Sequence, residues 1–509
     1  DGGWGGLIAP EHHGGQGLPY TIGAVLQEYL AASNMAFSMY PGLSEGAQAA
    51  IEVVGTPEQK AKWLPNMVHG RWTGTMNLTE PQCGTDLGLI RTRAEPHADG
   101  SWRITGTKIF ISAGEHDLSD NIIHLVLAKT PGAPDSVKGI SLFIVPKFIV
   151  NEDGSLGARN EVSCGSIEHK MGIHGNATCV MNYDGATGYM LGEEMKGLAA
   201  MFIMMNAARL GVGIQGLAQA DVAYQNAVAY ARDRLQGRSL TGAKNPDGRA
   251  DPIIVHPDVR RMLLDARAFT EGMRALVLWG ALKVDLSRKA TDPAEREAAD
   301  DLISLLTPVI KGYGTDRGYE VATNCQQVFG GHGYVAEWGM EQFVRDARIA
   351  MIYEGTNGIQ ALDLVGRKLG AKGGRGTQAW LGLVSADLAA ATDERLGFIA
   401  GPLGKALADV QAGIMWLLQN GMTNPDNAGA GATAFMRMLG HAALGHMWLK
   451  MAGAAQTALD AGTGDADFHT AKLHTARFFA ARGLPETASL RAQLEAGADV
   501  VMAMPAEMF

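Results

Sequence analysis

Cysteine is scarce: Cys83, Cys164, Cys179 and Cys325 are the only four in 509 residues. They lie far apart, so none has the close spacing of a zinc site, and no metal centre is expected. Four thiols are also too few for a disulfide framework, and they are expected to be reduced in a cytoplasmic protein. Long apolar runs are lacking as well, none approaching the ~20 residues that cross a bilayer. Basic residues are outnumbered, 43 Lys and Arg against 53 Asp and Glu, giving a net charge of -10. That balance argues against nucleic acid or an anionic membrane as the main partner, although a local basic pocket for a phosphorylated ligand remains compatible with it. What is present is ordinary for a globular enzyme: 46% hydrophobic and 19% charged residues. The length exceeds what one core supports, so two to four domains are expected.

Pattern along the chain suggests four regions. A Gly/Pro-rich loop ends at Gly15-Gln16-Gly17-Leu18-Pro19, and helical text follows over residues 21–64. Pro41, Gly55 and Pro57 are read as breaks in it. From about residue 71 to 190 the text is β-rich. Trp102-Arg103-Ile104 and Lys108-Ile109-Phe110-Ile111-Ser112 flank a Thr-Gly-Thr turn and predict a hairpin. Residues 121–130 and 139–150 are further strands. Helices return over 201–232, 259–286, 298–312 and 317–328. Lys372-Gly373-Gly374-Arg375-Gly376 reads as a linker, with a separate Ala-rich helical segment over 377–509. The expected fold is α+β: helical residues 1–70 with an incomplete start, a β domain over 71–190, a helical domain over 191–371, and the extra segment.

Four motifs carry chemistry. In Met76-Asn77-Leu78-Thr79-Glu80-Pro81-Gln82-Cys83-Gly84-Thr85-Asp86, two hydroxyls bracket a turn whose N–H groups can serve a polar ring or a phosphate. In the strand ending at Ser112, alternation puts Phe110 and Ser112 on one face, an aromatic beside a donor. Phe329-Gly330-Gly331-His332-Gly333-Tyr334 lets backbone approach a ligand. In Ile352-Tyr353-Glu354-Gly355-Thr356-Asn357-Gly358-Ile359-Gln360, a helix starts after Thr356 or Asn357, either of which can cap it. Glu354 then lies in a short connection beside a helix N-terminus suited to pyrophosphate. Desolvation between Tyr353 and Gly355 would raise its pKa toward that of a useful base. Each motif alone also suits a bland reading: a strand-end turn, a core Phe, a tight helix turn, a solvated Glu.

Together, in this wording and order, they resemble the acyl-CoA dehydrogenase family over residues 1 to about 370. The resemblance implies a helical N-terminal domain, a β-barrel-like middle domain and a four-helix bundle, with FAD between the last two. It places Leu78, Thr79, Gly84, Thr85, Phe110 and Ser112 around the flavin and its pyrophosphate, and Thr356 and Asn357 near the dinucleotide. Arg234 matches the arginine that reaches a neighbouring subunit's FAD, with Gln327, Gly330 and Gly331 lining the same cleft. Met205, Asn206 and Arg209 match the helix beside the CoA thioester arm, and Tyr353 and Gly355 flank the substrate. Glu354 matches the base that takes the α-proton of an acyl-CoA. Two departures stand out: Phe110 and Ser112 replace the family's frequent Trp and Thr, and Leu235-Gln236-Gly237-Arg238 replaces the usual Lys-Thr-Phe-Gly.

The segment Ser112-Ala113-Gly114-Glu115-His116-Asp117 and the region after Gly376 are most similar to a subgroup acting on 3-(methylthio)propanoyl-CoA in dimethylsulfoniopropionate demethylation. Relatives acting on ordinary fatty acyl-CoAs share both features. Met201, Met204 and Met205 form a soft stripe that suits either a thioether tail or a core. The extra segment over 377–509 is expected to pack over the catalytic core and to favour a homodimer over the family's common tetramer, and the resemblance implies an electron-transferring flavoprotein as acceptor. An acyl-CoA oxidase using oxygen is a competing reading. A non-enzymatic flavin-binding scaffold is another, which the retained Glu354 and the acidic charge count against.

Overall fold

The structure is a computed structural model that describes residues 2–509, apart from the side chains of Asn206 and Ala207. Its contacts divide it into two units, Asp1–Gly211 and Val212–Phe509. The first unit begins with α1 (Tyr20–Val54) and α2 (Pro57–Val68). The expected break at Pro41 is absent. The helix instead kinks at Asn34, whose φ/ψ of -159°/94° is not helical. Asn34 Oδ1 accepts the Phe37 N–H at 3.0 Å, so this side chain caps the second half as Asn does at a helix start. His13 Nε2 lies 2.9 Å from Glu52 Oε2 and ties the Gly-rich opening to α1.

Nine strands follow: β1 (Trp72–Asn77), β2 (Arg93–Pro96), β3 (Trp102–Ser112), β4 (Asn121–Lys129), β5 (Ile140–Pro146), β6 (Phe148–Val150), β7 (Leu156–Arg159), β8 (Val162–Ile167) and β9 (Thr178–Met190). β4 pairs with both β2 and β5, and β3 and β9 complete the ring, so the main sheet closes into a barrel. Closure removes exposed edges. The hairpin expected around Thr-Gly-Thr is not there. β3 runs through it as one strand and pairs with β9, with register shifts at Ile104/Thr105 and Lys108/Ile111. Gly106 serves close approach rather than a turn, since a Cβ there would lie 2.4 Å from Thr92 Oγ1. Inside the barrel a column of polar side chains is linked by hydrogen bonds. Tyr183 donates to Asn77 Oδ1 at 2.8 Å, Asn77 Nδ2 donates to Thr75 Oγ1 at 2.8 Å, and Thr75 Oγ1 meets His124 Nδ1 at 2.7 Å. Burial pushes the His124 imidazole down to about 3, so it is neutral.

α3 (Gly197–Asp233) crosses the division between the units. By length and composition it is apolar enough to cross a membrane, although polar residues interrupt its apolar text. Its most apolar window has a mean hydropathy of 1.5, and 56% of that window is buried within the fold. The apolar character is spread over Ala, Gly, Met and Leu, as in a core helix. Met201 and Met204 are fully buried in the core of the first unit, with Ile51, Met67 and Leu142.

The second unit is helical: α4 (Pro257–Lys289), α5 (Pro293–Val328), α6 (Met340–Ala350), α7 (Asn357–Asp363), α8 (Arg375–Ala390), α9 (Gly397–Trp416), α10 (Pro425–Ala461), α11 (Ala466–Arg482), α12 (Glu486–Glu495) and α13 (Asp499–Met502). α5 merges two helices that sequence reading separated between residues 312 and 317. The glycines there mark contacts, not a break: a Cβ on Gly314 would lie 2.4 Å from Met273 Cε. The region after residue 376 is not a separate body either. The expected linker is clamped, with Lys372 Nζ 2.8 Å from Asp301 Oδ1 and Arg375 bonded to the other Asp301 oxygen. α10 is buried without interruption from Met438 to Leu449. It covers α4 and α5: Trp448 Nε1 donates to Ala268 O at 3.0 Å, and Arg437 pairs with Glu320.

Candidate active site

In the first unit, β1 delivers the chain into a tight turn. The Glu80 N–H donates to Cys83 O at 2.9 Å and the Cys83 N–H returns to Glu80 O at 3.0 Å. Leu78 is buried, Thr79 is half-buried, and Gly84 and Thr85 stand exposed beyond the turn. The turn is fixed from below by a residue that motif reading passed over. Lys108 is fully buried, and its Nζ donates to Leu78 O at 3.0 Å and to Glu80 Oε1 at 2.9 Å. Glu80 also accepts the N–H groups of Arg91 and Thr92 and the Thr92 hydroxyl. Burial alone would raise the Glu80 pKa, but the Lys108 charge and these hydrogen bonds outweigh it and bring it down to about 2.

Two residues beyond Lys108, Phe110 has φ 59°, a left-handed backbone rare outside glycine. The register shift between Lys108 and Ile111 inserts one extra residue, a bulge that re-aims side chains. Past the bulge Ile111 is buried while Phe110 is 60% exposed, and half-buried Ser112 follows it in alternation. The Ile109 N–H donates to Thr79 O at 2.9 Å, bringing bulge and turn together. The six residues assigned to the flavin therefore lie on two joined segments, the turn after β1 and the bulged end of β3, with the Phe110 ring exposed. That surface fits a flat ring with polar edges. Met205 and Arg209 lie on α3, Met205 partly buried and Arg209 buried; the Asn206 side chain lies outside the described residues.

In the second unit, Glu354 sits between α6 and α7 and is half-buried. It too is left-handed, with φ 56°, and Gly355 follows at φ 83°. No side chain suits position 355, where a Cβ would lie 2.6 Å from Gln360 Nε2. Thr356 caps α7, accepting the Ile359 N–H at 3.4 Å. Tyr353 donates its hydroxyl to Gln215 Oε1 of α3, and burial pushes its phenol pKa up. Asn357 is buried and its amide is committed inward: Nδ2 reaches Gly312 O at 3.1 Å, Thr315 Oγ1 at 2.9 Å and Asp316 Oδ1 at 2.6 Å. Burial raises the Asp316 pKa.

Arg234, Gln327, Gly330 and Gly331 are all exposed. Tyr230, one turn before Arg234, stacks on Phe329 at 4.1 Å and meets His332 Nδ1 at 2.9 Å, tying the end of α3 to the Gly330-Gly331 turn. The departing segment after Arg234 is organised by its own loop. Asp251 is fully buried and accepts the N–H groups of Ser239, Lys244 and Asn245 together with Arg238.

Lys108→Met would leave the Glu80 carboxylate buried without its counter-charge, which typically costs about 3–5 kcal/mol. Chemical denaturation should show that loss near neutral pH. In the wild type the Glu80 contribution is complete above its ordinary 4.5 and disappears only as the pH falls toward about 2. The variant should therefore begin acid unfolding at a higher pH, and an unchanged acid limb would show that Lys108 does not hold the turn.

Comparison with known proteins matches the whole length. Residues 1–71 match the N-terminal domain, 75–186 the middle domain and 195–369 the C-terminal domain of acyl-CoA dehydrogenase, and 380–505 match the description "Acetyl-CoA dehydrogenase C-terminal like". A 3-methylmercaptopropionyl-CoA dehydrogenase of Ruegeria pomeroyi is 47% identical, covering 96% of this chain and 82% of the relative. A broad-specificity linear acyl-CoA dehydrogenase of Mycobacterium tuberculosis is 37% identical over 97% of this chain and 83% of its own. The crystal structure of an acyl-CoA dehydrogenase with FAD from Bacillus anthracis shares the fold at TM-score 0.79 and 21% identity, over 99% of this chain and 82% of that one. The left-handed glutamate and the bulged aromatic strand thus belong to a known scaffold: the chain is a member of the acyl-CoA dehydrogenase family of FAD-dependent oxidoreductases.

Proposed function

We propose that this enzyme oxidises a short acyl-CoA to its trans-2-enoyl form, with 3-(methylthio)propanoyl-CoA as its substrate and Glu354 as the base. The observation that carries the catalytic reading is Glu354 itself, a carboxylate in an enforced left-handed turn. Returning its φ to the usual helical range would swing the side chain by roughly 120° about the N–Cα bond, so the turn fixes where the carboxylate points. The thioester carbonyl acidifies the α-proton, and Glu354 removes it. Charge that develops on the carbonyl needs preorganised donors, a role the family resemblance gives to the Glu354 N–H. FAD, when bound, supplies the hydride acceptor. Phe110 gives the ring a wall, and Thr79, Thr85 and Ser112 offer hydroxyls to its edges.

The substrate reading is supported by the 47% identical relative, which covers nearly the whole chain, rather than by the methionine stripe, of which Met201 and Met204 are core. A broader reading, linear acyl-CoAs in general, is favoured by the 37% identical relative. We also infer a cytoplasmic homodimer that passes electrons to an electron-transferring flavoprotein. The exposed Arg234, Gln327, Gly330 and Gly331 leave a face for a second copy. Light scattering at micromolar concentration should give a dimer, and a tetramer would refute it; reoxidation by oxygen as fast as by the flavoprotein would favour an oxidase.

Purified protein should carry one FAD per chain. Glu354→Gln should retain FAD and substrate yet lose flavin reduction by about a thousandfold, within the range of general-base effects. Bleaching by substrate at a near wild-type rate would mean that another group is the base.

In a panel of acyl-CoAs, 3-(methylthio)propanoyl-CoA should reach a kcat/KM at least equal to that of butanoyl-CoA. One methylene is worth about 1–3 kcal/mol in an apolar pocket, so overlap with simple chains is expected. A maximum at long chains, with the methylthio substrate more than about tenfold below butanoyl-CoA, would exclude the assignment.

A further inference from the structure

A non-glycine residue does not stay left-handed unless its surroundings hold it there. For Glu354 and Gly355 the hold comes from α5. Lys311 is fully buried, and its Nζ donates to Gly355 O at 2.7 Å and to Asn357 Oδ1 at 2.8 Å. Both acceptors lie in the three residues after Glu354. Asn357 is bonded back to α5 through Gly312, Thr315 and Asp316. On the other side, Gln360 Nε2 donates to Glu354 O at 3.1 Å. Moving the loop away from α5 would take both of these acceptors from a buried ammonium, which carries a penalty. α10 closes the rear: a Cβ on Gly312, next to Lys311, would lie 2.4 Å from Met436 Sδ.

We propose that Lys311 is a positioning residue for Glu354: its ammonium, clamped to Gly355 O and Asn357 Oδ1, fixes the left-handed turn that aims the carboxylate. The inference rests on Glu354 being the base. It extends that reading to a residue 43 positions away in sequence, on a different helix. A mere tie between α5 and α7 would affect folding and leave the chemical step alone; a positioning role requires the chemical step to suffer while binding does not. Displacing a reacting group by about 1 Å can cost about a hundredfold in rate.

The test uses full-length, FAD-loaded protein in three forms beside the wild type: Lys311→Met, Lys311→Arg and Gln360→Met. Anaerobic rapid mixing with butanoyl-CoA, and with its α-dideuterated form, separates substrate affinity from the rate of flavin reduction. Lys311→Met should slow reduction about 10–100-fold at unchanged substrate affinity, with a larger α-deuterium isotope effect. Amide exchange of residues 351–357 should accelerate. Lys311→Arg, which keeps the charge, should recover most of the rate. If Lys311→Met fails to retain FAD, Gln360→Met decides, since it releases the Glu354 carbonyl without stranding a charge; it should also slow reduction at least about tenfold. Reduction within about twofold of the wild type in a folded variant, or a loss confined to affinity, would overturn the proposal. Wild-type protein that no acyl-CoA reduces would instead sink the assignment of Glu354, while amide exchange would still report whether Lys311 holds the loop.

Discussion

Burial of a lysine ammonium is the constraint on which both halves of the chemistry depend. Such a charge is tolerated inside a protein only where oxygen acceptors meet it. Two such lysines lie beside the turns at issue. Lys108 binds the backbone and carboxylate of the turn at Leu78–Glu80, and Lys311 binds the backbone and amide of the turn at Gly355–Asn357. Beside each stands a non-glycine residue in left-handed backbone, Phe110 in one unit and Glu354 in the other. These two left-handed residues are the ones proposed to face the cofactor and the substrate, and at both positions the conformational cost is offset by polar contacts one layer beneath.

The two lysines do different electrostatic work. Lys108 has a true counter-ion, and the pair drives the Glu80 pKa down to about 2. Lys311 is met by a carbonyl and a neutral amide, with Asp316 reached through Asn357. The first arrangement is a buried ion pair that anchors a surface turn. The second ties the Gly355–Asn357 turn to α5 through a carbonyl and an amide.

The motifs proposed for the site were legible because their signals are local. Thr79 to Asp86, Phe110 to Ser112 and Tyr353 to Asn357 are short stretches whose residue types state their chemistry. The lysines were not legible, because their bonds span 28 and 44 residues and leave no pattern in either neighbourhood. Glycine and proline misled for a related reason. Pro41 looked like a stop, but Asn34 supplies the cap that permits a kink seven residues earlier. Gly106 looked like a turn and Gly314 fell in a gap between two helices, yet each makes room for a neighbouring element, Thr92 in one case and Met273 in the other. A glycine that serves conformation and a glycine that serves contact are the same letter. The segment after residue 376 looked separate because Lys372-Gly373-Gly374-Arg375-Gly376 has the composition of a linker.

That last segment has a consequence for how the protein is made. The face of α5 around Gly312 and Tyr313 is covered by Met436 and Gly440 of α10, which begins at Pro425, well after α5 ends at Val328. During synthesis at about 5–20 residues per second, that apolar face would emerge from the ribosome roughly 5–20 s before its cover exists. The helical unit therefore cannot close as it is made, and the nascent chain must keep a half-built core soluble until α10 arrives.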